Sequence, residues 1–191
     1  YDGCYAHVFT RSLERRRILV DEDDFARFYK ILLKVKKEYD FRIFHYCLMN
    51  THFHLAVGIG LVEAFSKAMQ ALKWDYTNQF NRKYKHYGPL WRERFKSLLI
   101  ENEEYLYACG QYIEQNPLKA MVVDKVEQWS YSSAQHYLGK HIDVLVDHYE
   151  RPQQPDGVDL NDDVFFIRGS GIGSAWFKFQ LRRGMWVSPK R

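Results

Sequence analysis

Cysteine is scarce in this chain, and its spacing excludes more than its number does. Cys4, Cys47 and Cys109 are the only three among 191 residues. They make no CxxC pair, which argues against structural zinc, and an odd count argues against a disulfide framework. A reducing cytoplasm is the simplest expected setting. Long apolar runs are missing too: no stretch approaches the ~20 residues a membrane helix needs. No signal-peptide pattern opens the chain either, so no membrane partner is expected. The chain starts at Tyr1 without a methionine, and an upstream start is expected. No internal repeat is present.

Apolar residues at 46% and aromatics at 17% rule out a disordered polyelectrolyte. The length fits one ordinary domain plus an appendage. Net charge is a mild +4. Basic groups mixed with Tyr, Trp and Phe suit a surface that neutralises phosphates and stacks bases, although composition alone fits any slightly basic soluble domain equally well.

Periodicity gives the element order. "CYAHVFTRS" (4–12) reads as a first strand. In 21–40, Phe25, Phe28, Leu32, Val35 and Tyr39 fall at helical spacing behind an acidic first turn. "FRIFHYCLM" and "HFHLAVGI" read as strands joined by a tight turn at Asn50-Thr51. Gly60 opens a helical stretch striped by Val62, Phe65, Met69, Leu72, Tyr76 and Phe80, which ends at Tyr87–Pro89. "RFKSLLI" (94–100) is a fourth strand. A helix over 102–115 follows, capped by Asn102 and ended by Pro117. The order β-α-β-β-α-β-α predicts an α+β fold, a ferredoxin-like split βαβ with an antiparallel sheet. Residues 1–140 form the expected domain. Residues 141–191 read as a Pro/Asp/Gln-rich linker and a basic, aromatic C-terminal tail.

Two motifs carry chemistry. In "CLMNTHFHLAV" (47–57), strand alternation points His52 and His54 to one face, and Phe53, Leu55 and Val57 to the other. Two imidazoles on one face can bind a divalent cation, though a bare HxH is a weak signal. In "GQYIEQNP" (110–117), Tyr112 and Asn116 are i,i+4 neighbours on a helix, with Gln115 at i+3. A phenol of ordinary pKa ~10 is a poor nucleophile at neutral pH, so Tyr112 would need help from its surroundings. Alone, it is one of 14 tyrosines.

Taken together with "LWRERFKSLLIENEEYLYACGQYIEQNPLKAMVV" and "WSYSSAQHYLG", these stretches make the chain resemble the single-tyrosine HUH transposases (the transposase IS200-like family). The nearest branch is that of the REP-associated tyrosine transposases, and the likeness runs from about Cys4 to Gly139. The resemblance implies an HUH endonuclease-type fold in which His52 and His54 bind Mg²⁺ or Mn²⁺. It implies that Tyr112 attacks a single-stranded DNA phosphate, giving a 5′-phosphotyrosine link and a free 3′-OH. Asn116 is the implied third ligand, with Gln115 as alternative. The implied partner is single-stranded DNA with REP-like palindromic hairpins, the implied place the nucleoid-bearing cytoplasm, and the implied state a monomer or homodimer. A catalytically idle hairpin-binding protein stands as the alternative, while a replication-initiator nickase fits the compact single-tyrosine layout less well.

Two departures from the family pattern stand out. Asn50-Thr51 replaces the usual Pro-Asn, a change expected to alter the turn and not the ligands. Glu114 and Gln115 replace the usual His-Leu, and Glu114 is expected to face solvent.

Two basic stretches are candidate DNA-binding surfaces. "NRKYKHYGPLWRERFK" (81–96) offers Arg82, Lys83, Lys85, Arg92, Arg94 and Lys96 to phosphates, and Trp91 to a base. "TRSLERRR" (10–17) offers Arg11, Arg15, Arg16 and Arg17 to a hairpin stem or to a flanking guide-like tetranucleotide. His45 and the segment 129–139 are expected to be structural.

Overall fold

The computed structural model describes residues 3–149, 164–168 and 176–180. Strand β1 (Cys4–Arg11) leads through a single 3-10 turn to helix α1 (Glu22–Glu38). Strands β2 (Arg42–Met49) and β3 (His52–Ile59) follow, then helix α2 (Val62–Tyr84), strand β4 (Lys96–Ile100) and helix α3 (Glu103–Glu114). The antiparallel sheet has the order β2-β3-β1-β4, so β3 is inserted between β1 and β2. This is the split βαβ arrangement expected from the element order.

Alternation along the strands assigns each sheet face to a different layer. Val8, Ile43, Tyr46, Leu48, Phe53, Leu55 and Val57 point to one side, where Phe28, Leu32, Val35, Met69, Leu72 and Tyr76 of α1 and α2 cover them. Phe44, Cys47, Met49 and Ala56 point to the other, against Leu106, Cys109 and Ile113 of α3. His7, His52 and His54 lie on that second face.

Local signals explain the ends of the helices. Asp21 and Asp24 form a reciprocal capping box at the start of α1. Asn102 accepts from the Tyr105 amide at 2.9 Å and caps α3. Pro117 does not simply end α3. The helix stops at Glu114, and Asn116–Lys119 forms a further short turn, α4, in which Pro117 takes a first-turn position that needs no N–H.

Packing against the sheet does not stop at residue 140, where the linker was expected to begin. Leu145 is fully buried in the α1/α2 core, and Asp143 accepts from the hydroxyls of Tyr29 and Tyr46 at 2.6 Å each. Asp147 pairs with both backbone groups of Ile43 on the edge strand β2. Beyond this, β5 (Val164–Arg168) and β6 (Trp176–Gln180) form an antiparallel pair. The glycine-rich stretch and the last eleven residues of the expected tail lie outside the described residues.

Candidate active site

The face under α3 gathers histidines from neighbouring strands. On β3, His52 and His54 project toward α3, as strand alternation predicts, with ring centroids 5.2 Å apart. On β1, Phe9 pairs with His54 and His7 with Ala56, so His7 stands diagonal to His54 on the same face. The rings of His7 and His54 stack at 5.1 Å, and His7 Nε2 shares a 2.9 Å hydrogen bond with His54 Nδ1. His52 Nδ1 meets Thr51 Oγ1 at 2.9 Å. Both motif histidines are thus engaged through Nδ1. Thr51 therefore does more than shape the turn: the departure at this position reaches His52 directly. Above them lies the half-buried ring of Tyr112, 6.1 Å from His54 and 6.0 Å from His7, centroid to centroid.

The electrostatics suit neutral imidazoles. Burial pushes His7 down to about 4. Burial, then the charge of Arg11, takes His52 to about 4 as well. His54 falls well below its ordinary value through burial, then through His7, His52, Arg11 and Lys119. At pH 7 all three rings are neutral, as metal ligation requires. Tyr112 moves the other way. Burial pushes its phenol up to about 12, with Cys109 adding to the rise and Arg11 opposing it. The Lys119 ammonium lies 4.0 Å over the Tyr112 ring, a cation–π contact.

A polar cluster fixes the helix that carries Tyr112. His45 donates from Nδ1 to Glu114 Oε1 at 2.8 Å, and its Nε2 lies 2.8 Å from the Tyr149 hydroxyl. Ser133 donates to the same Glu114 oxygen at 2.7 Å. Glu114 therefore does not face solvent as expected; its side chain is 13% exposed and ties α3 to β2. A carboxylate is accommodated there because the fold supplies two donors to it. His45 is structural, as expected, and its ring occupies the space above Gly110.

The candidate third ligands are less committed. The Asn116 amide nitrogen donates to the carbonyls of Tyr112 and Ile113, at 3.0 Å each, satisfying the open end of α3. Only Oδ1 of this side chain is left for ligation. Gln115, half-buried, is the C-cap residue of α3. Elsewhere among the described residues, Asp21, Asp23 and Asp24 are the one group of three His, Cys, Asp or Glu ligand atoms within 4.8 Å of one another. The Lys83 ammonium fills it, at 2.7, 3.1 and 2.8 Å from the three carboxylates.

That ion cluster corrects one expected DNA contact, since the charge of Lys83 is neutralised within the fold. Trp91 corrects another. Its indole donates to Thr77 Oγ1 at 3.1 Å and packs against Phe53 and Tyr76, so it is a core group and not a free stacking platform. The two basic stretches, far apart in sequence, become one surface. Ser12 bridges Trp91, and the Arg92 amide bonds the Arg11 carbonyl, next to the strand end where Arg11 pairs with His52. Arg11, Arg15, Arg16, Arg17, Arg82, Lys85, Arg92 and Arg94 are exposed, with Arg16 on His86. Lys96 is exposed too and pairs with Glu93 at 3.2 Å.

Sequence reasoning missed His7, Lys119 and Thr51. Period-2 alternation of Tyr5, His7 and Phe9 was the available signal for His7, but only the register reveals which neighbour it meets.

The family model "Transposase IS200 like" matches residues 1–116, a span that contains both the histidine pair and Tyr112. A Haemophilus influenzae protein assigned as a REP-associated tyrosine transposase is 28% identical over 138 residues, covering 66% of this chain and 78% of that one. A solved structure of a REP-associated tyrosine transposase bound to a REP hairpin superposes with a TM-score of 0.61 at 18% identity, covering 84% of this chain and 94% of that one. With a fold shared at that level and a family match spanning the sheet, the histidine face and the tyrosine helix, the chain belongs to the IS200-like transposase family.

Proposed function

We propose that this chain is a metal-dependent, REP-associated tyrosine transposase that binds REP-like DNA hairpins, cleaves an adjoining single strand and rejoins it through a 5′-phosphotyrosine link. One observation carries the reading: the Tyr112 ring lies 6.1 Å from that of His54, on the face that His54 shares with His52. A relative assigned as a REP-associated tyrosine transposase, and a hairpin-bound structure of like fold, support the branch and the partner.

The donor set fits a hard-to-borderline divalent cation. His52 and His54 would hold Mg²⁺ or Mn²⁺ through Nε2, with Asn116 Oδ1 or Gln115 beside them. Two imidazole nitrogens favour Mn²⁺ over Mg²⁺. Bound there, the ion supplies positive charge to the scissile phosphate. Tyr112 then does the covalent work. Its phenolic oxygen attacks phosphorus and gives up its proton to solvent; the bond from phosphorus to the 3′ oxygen breaks, and that oxygen takes up a proton. Return attack by the 3′-OH restores the phosphodiester and frees the phenol. The number of phosphoester bonds is unchanged throughout, so no nucleotide cofactor is required. The exposed Arg11 borders the His52 end of the site, with Arg92 joined to it through the backbone, where both can pair with strand phosphates.

The test is Tyr112→Phe on a labelled hairpin oligonucleotide with Mn²⁺. The expected result is loss of both the nick and the covalent adduct, with hairpin affinity retained. Cleavage by the variant at the parent rate would overturn the assignment. A parent protein that shifts hairpins yet never nicks them would make it an idle hairpin-binding protein instead.

A further inference from the structure

We infer that His7 is a positioning residue for the cation site: with a metal on Nε2 of His54, His7 Nε2 accepts the Nδ1–H of that ring and holds its orientation. The inference rests on the proposed metal role of His52 and His54 and adds a residue from a different strand to it.

A neutral imidazole carries one proton, and only the bare nitrogen can ligate. If Nε2 of His54 is to bind a cation, Nδ1 must carry the proton and needs an acceptor. His7 Nε2 is 2.9 Å from that atom and both rings are buried, so the acceptor is built into the fold. Register provides it: the Phe9–His54 pair sets His7 one diagonal step away on the same face. Packing holds it, with Phe9 5.1 Å from the His7 ring and Tyr112 6.0 Å from it. The Thr51 hydroxyl can serve His52 in the same way when a metal takes Nε2 of that ring. The two ligands thus have two different acceptors, one from the turn and one from β1.

Nothing in the fold presets the proton of His7 itself. Its Nδ1 is buried and meets no hydrogen-bonding group among the described residues, so His7 can either donate to His54 or accept from it. A cation on His54 selects the accepting arrangement, and the proton of His7 then lies on Nδ1. Binding at His54 is therefore read out on a ring that touches no metal.

The experiment compares Mn²⁺ titration calorimetry on the full chain for the parent, His7→Phe, His7→Gln and His52→Ala, with hairpin gel shifts in EDTA as a control for folding. His7→Phe keeps the aromatic packing but removes the acceptor, and Mn²⁺ binding should weaken roughly 10–100-fold. His7→Gln offers a carbonyl oxygen and should recover most of the loss. Nitrogen-15 histidine spectra with saturating Mg²⁺ should show His54 protonated on Nδ1 in the parent and not in His7→Phe. His7→Phe within twofold of the parent overturns the inference, as do equal losses in Phe and Gln variants that still bind hairpins. If parent and His52→Ala titrate alike, the metal reading itself fails and the role of His7 falls with it.

Discussion

Replacing Gly110 by alanine should damage this protein, although in an ordinary helix the same change stabilises by about 1 kcal/mol. A Cβ at Gly110 would lie 2.3 Å from Cε1 and Nε2 of His45 and 2.4 Å from its Cδ2. Carbon contacts are comfortable at about 3.5–4.0 Å, so more than ~1 Å of separation must be found. The His45 ring cannot supply it. It is 1% exposed, held at Nδ1 by Glu114 and at Nε2 by Tyr149, and stacked on Tyr137 at 4.5 Å. Helix α3 must lift instead. Overpacking of this kind costs about 1–3 kcal/mol, or roughly 3–10 °C in melting temperature for a domain of this size. Tyr112 sits two residues further along the same helix, and with Tyr112 as the proposed nucleophile a displacement near 1 Å should lower cleavage about 100-fold while leaving hairpin affinity intact. Thermal melting and single-turnover cleavage of a hairpin oligonucleotide measure the two effects separately. A variant as stable as the parent, or more so, and cutting within twofold of it, would falsify the view that His45 seats the Tyr112 helix through contact at Gly110.

Other substitutions separate fold from DNA contact. Lys83→Met leaves three carboxylates facing one another at the start of α1 and should lower the melting temperature. It should leave the salt dependence of hairpin binding unchanged, whereas Arg11→Ala and Arg92→Ala should each reduce the slope of log affinity against log salt by about 1; a shallower slope for the Lys83 variant would contradict the ion cluster. In metal-free buffer the protein should lose stability on acidification. His7 and His52 are held near 4 by burial, below the ~6.5 of the unfolded chain, so between those values the unfolded state binds more protons. Their contribution is complete above about 6.5 and drains away as pH falls toward 4, at most about 3 kcal/mol each. A melting temperature that stays flat from pH 7 to 4.5 would refute it.

The histidine face was only partly legible because a strand announces its own alternation but not its neighbours. His52 and His54 could be placed on one face from spacing alone, since residues two apart on a strand share a side. His7 has the same right to that face, yet its partner lies 47 positions away and is chosen by register. Lys83 shows the same gap for charge. In sequence it belongs to a basic run, but in the fold its nearest groups are the capping carboxylates of α1, some sixty residues earlier. Trp91 reads as a stacking ring beside arginines until Phe53 and Tyr76 are seen to enclose it. Each error has one cause: a side chain's role depends on what covers it, and the covering group is remote in sequence.

Glu114 carries that point to the chemistry. The family match ends at residue 116, so β1 to β4, both motif histidines and Tyr112 lie within it. Part of what seats Tyr112's helix does not. Glu114 accepts from Ser133, His45 stacks on Tyr137 and meets the Tyr149 hydroxyl, and all three partners come after the matched region. Residues 143–149 bind the edge of β2 through Asp147 and bury Leu145 against the α1/α2 core, which fixes where Tyr149 can reach. A carboxylate at 114 would be a poor choice on a helix packed only against β2, where His45 is its single donor. It becomes a good one once Ser133 and His45 both donate to it. The identity of residue 114 and the packing of the later segment are therefore one structural decision, and through Gly110 and Glu114 that decision sets how far Tyr112 stands from His54.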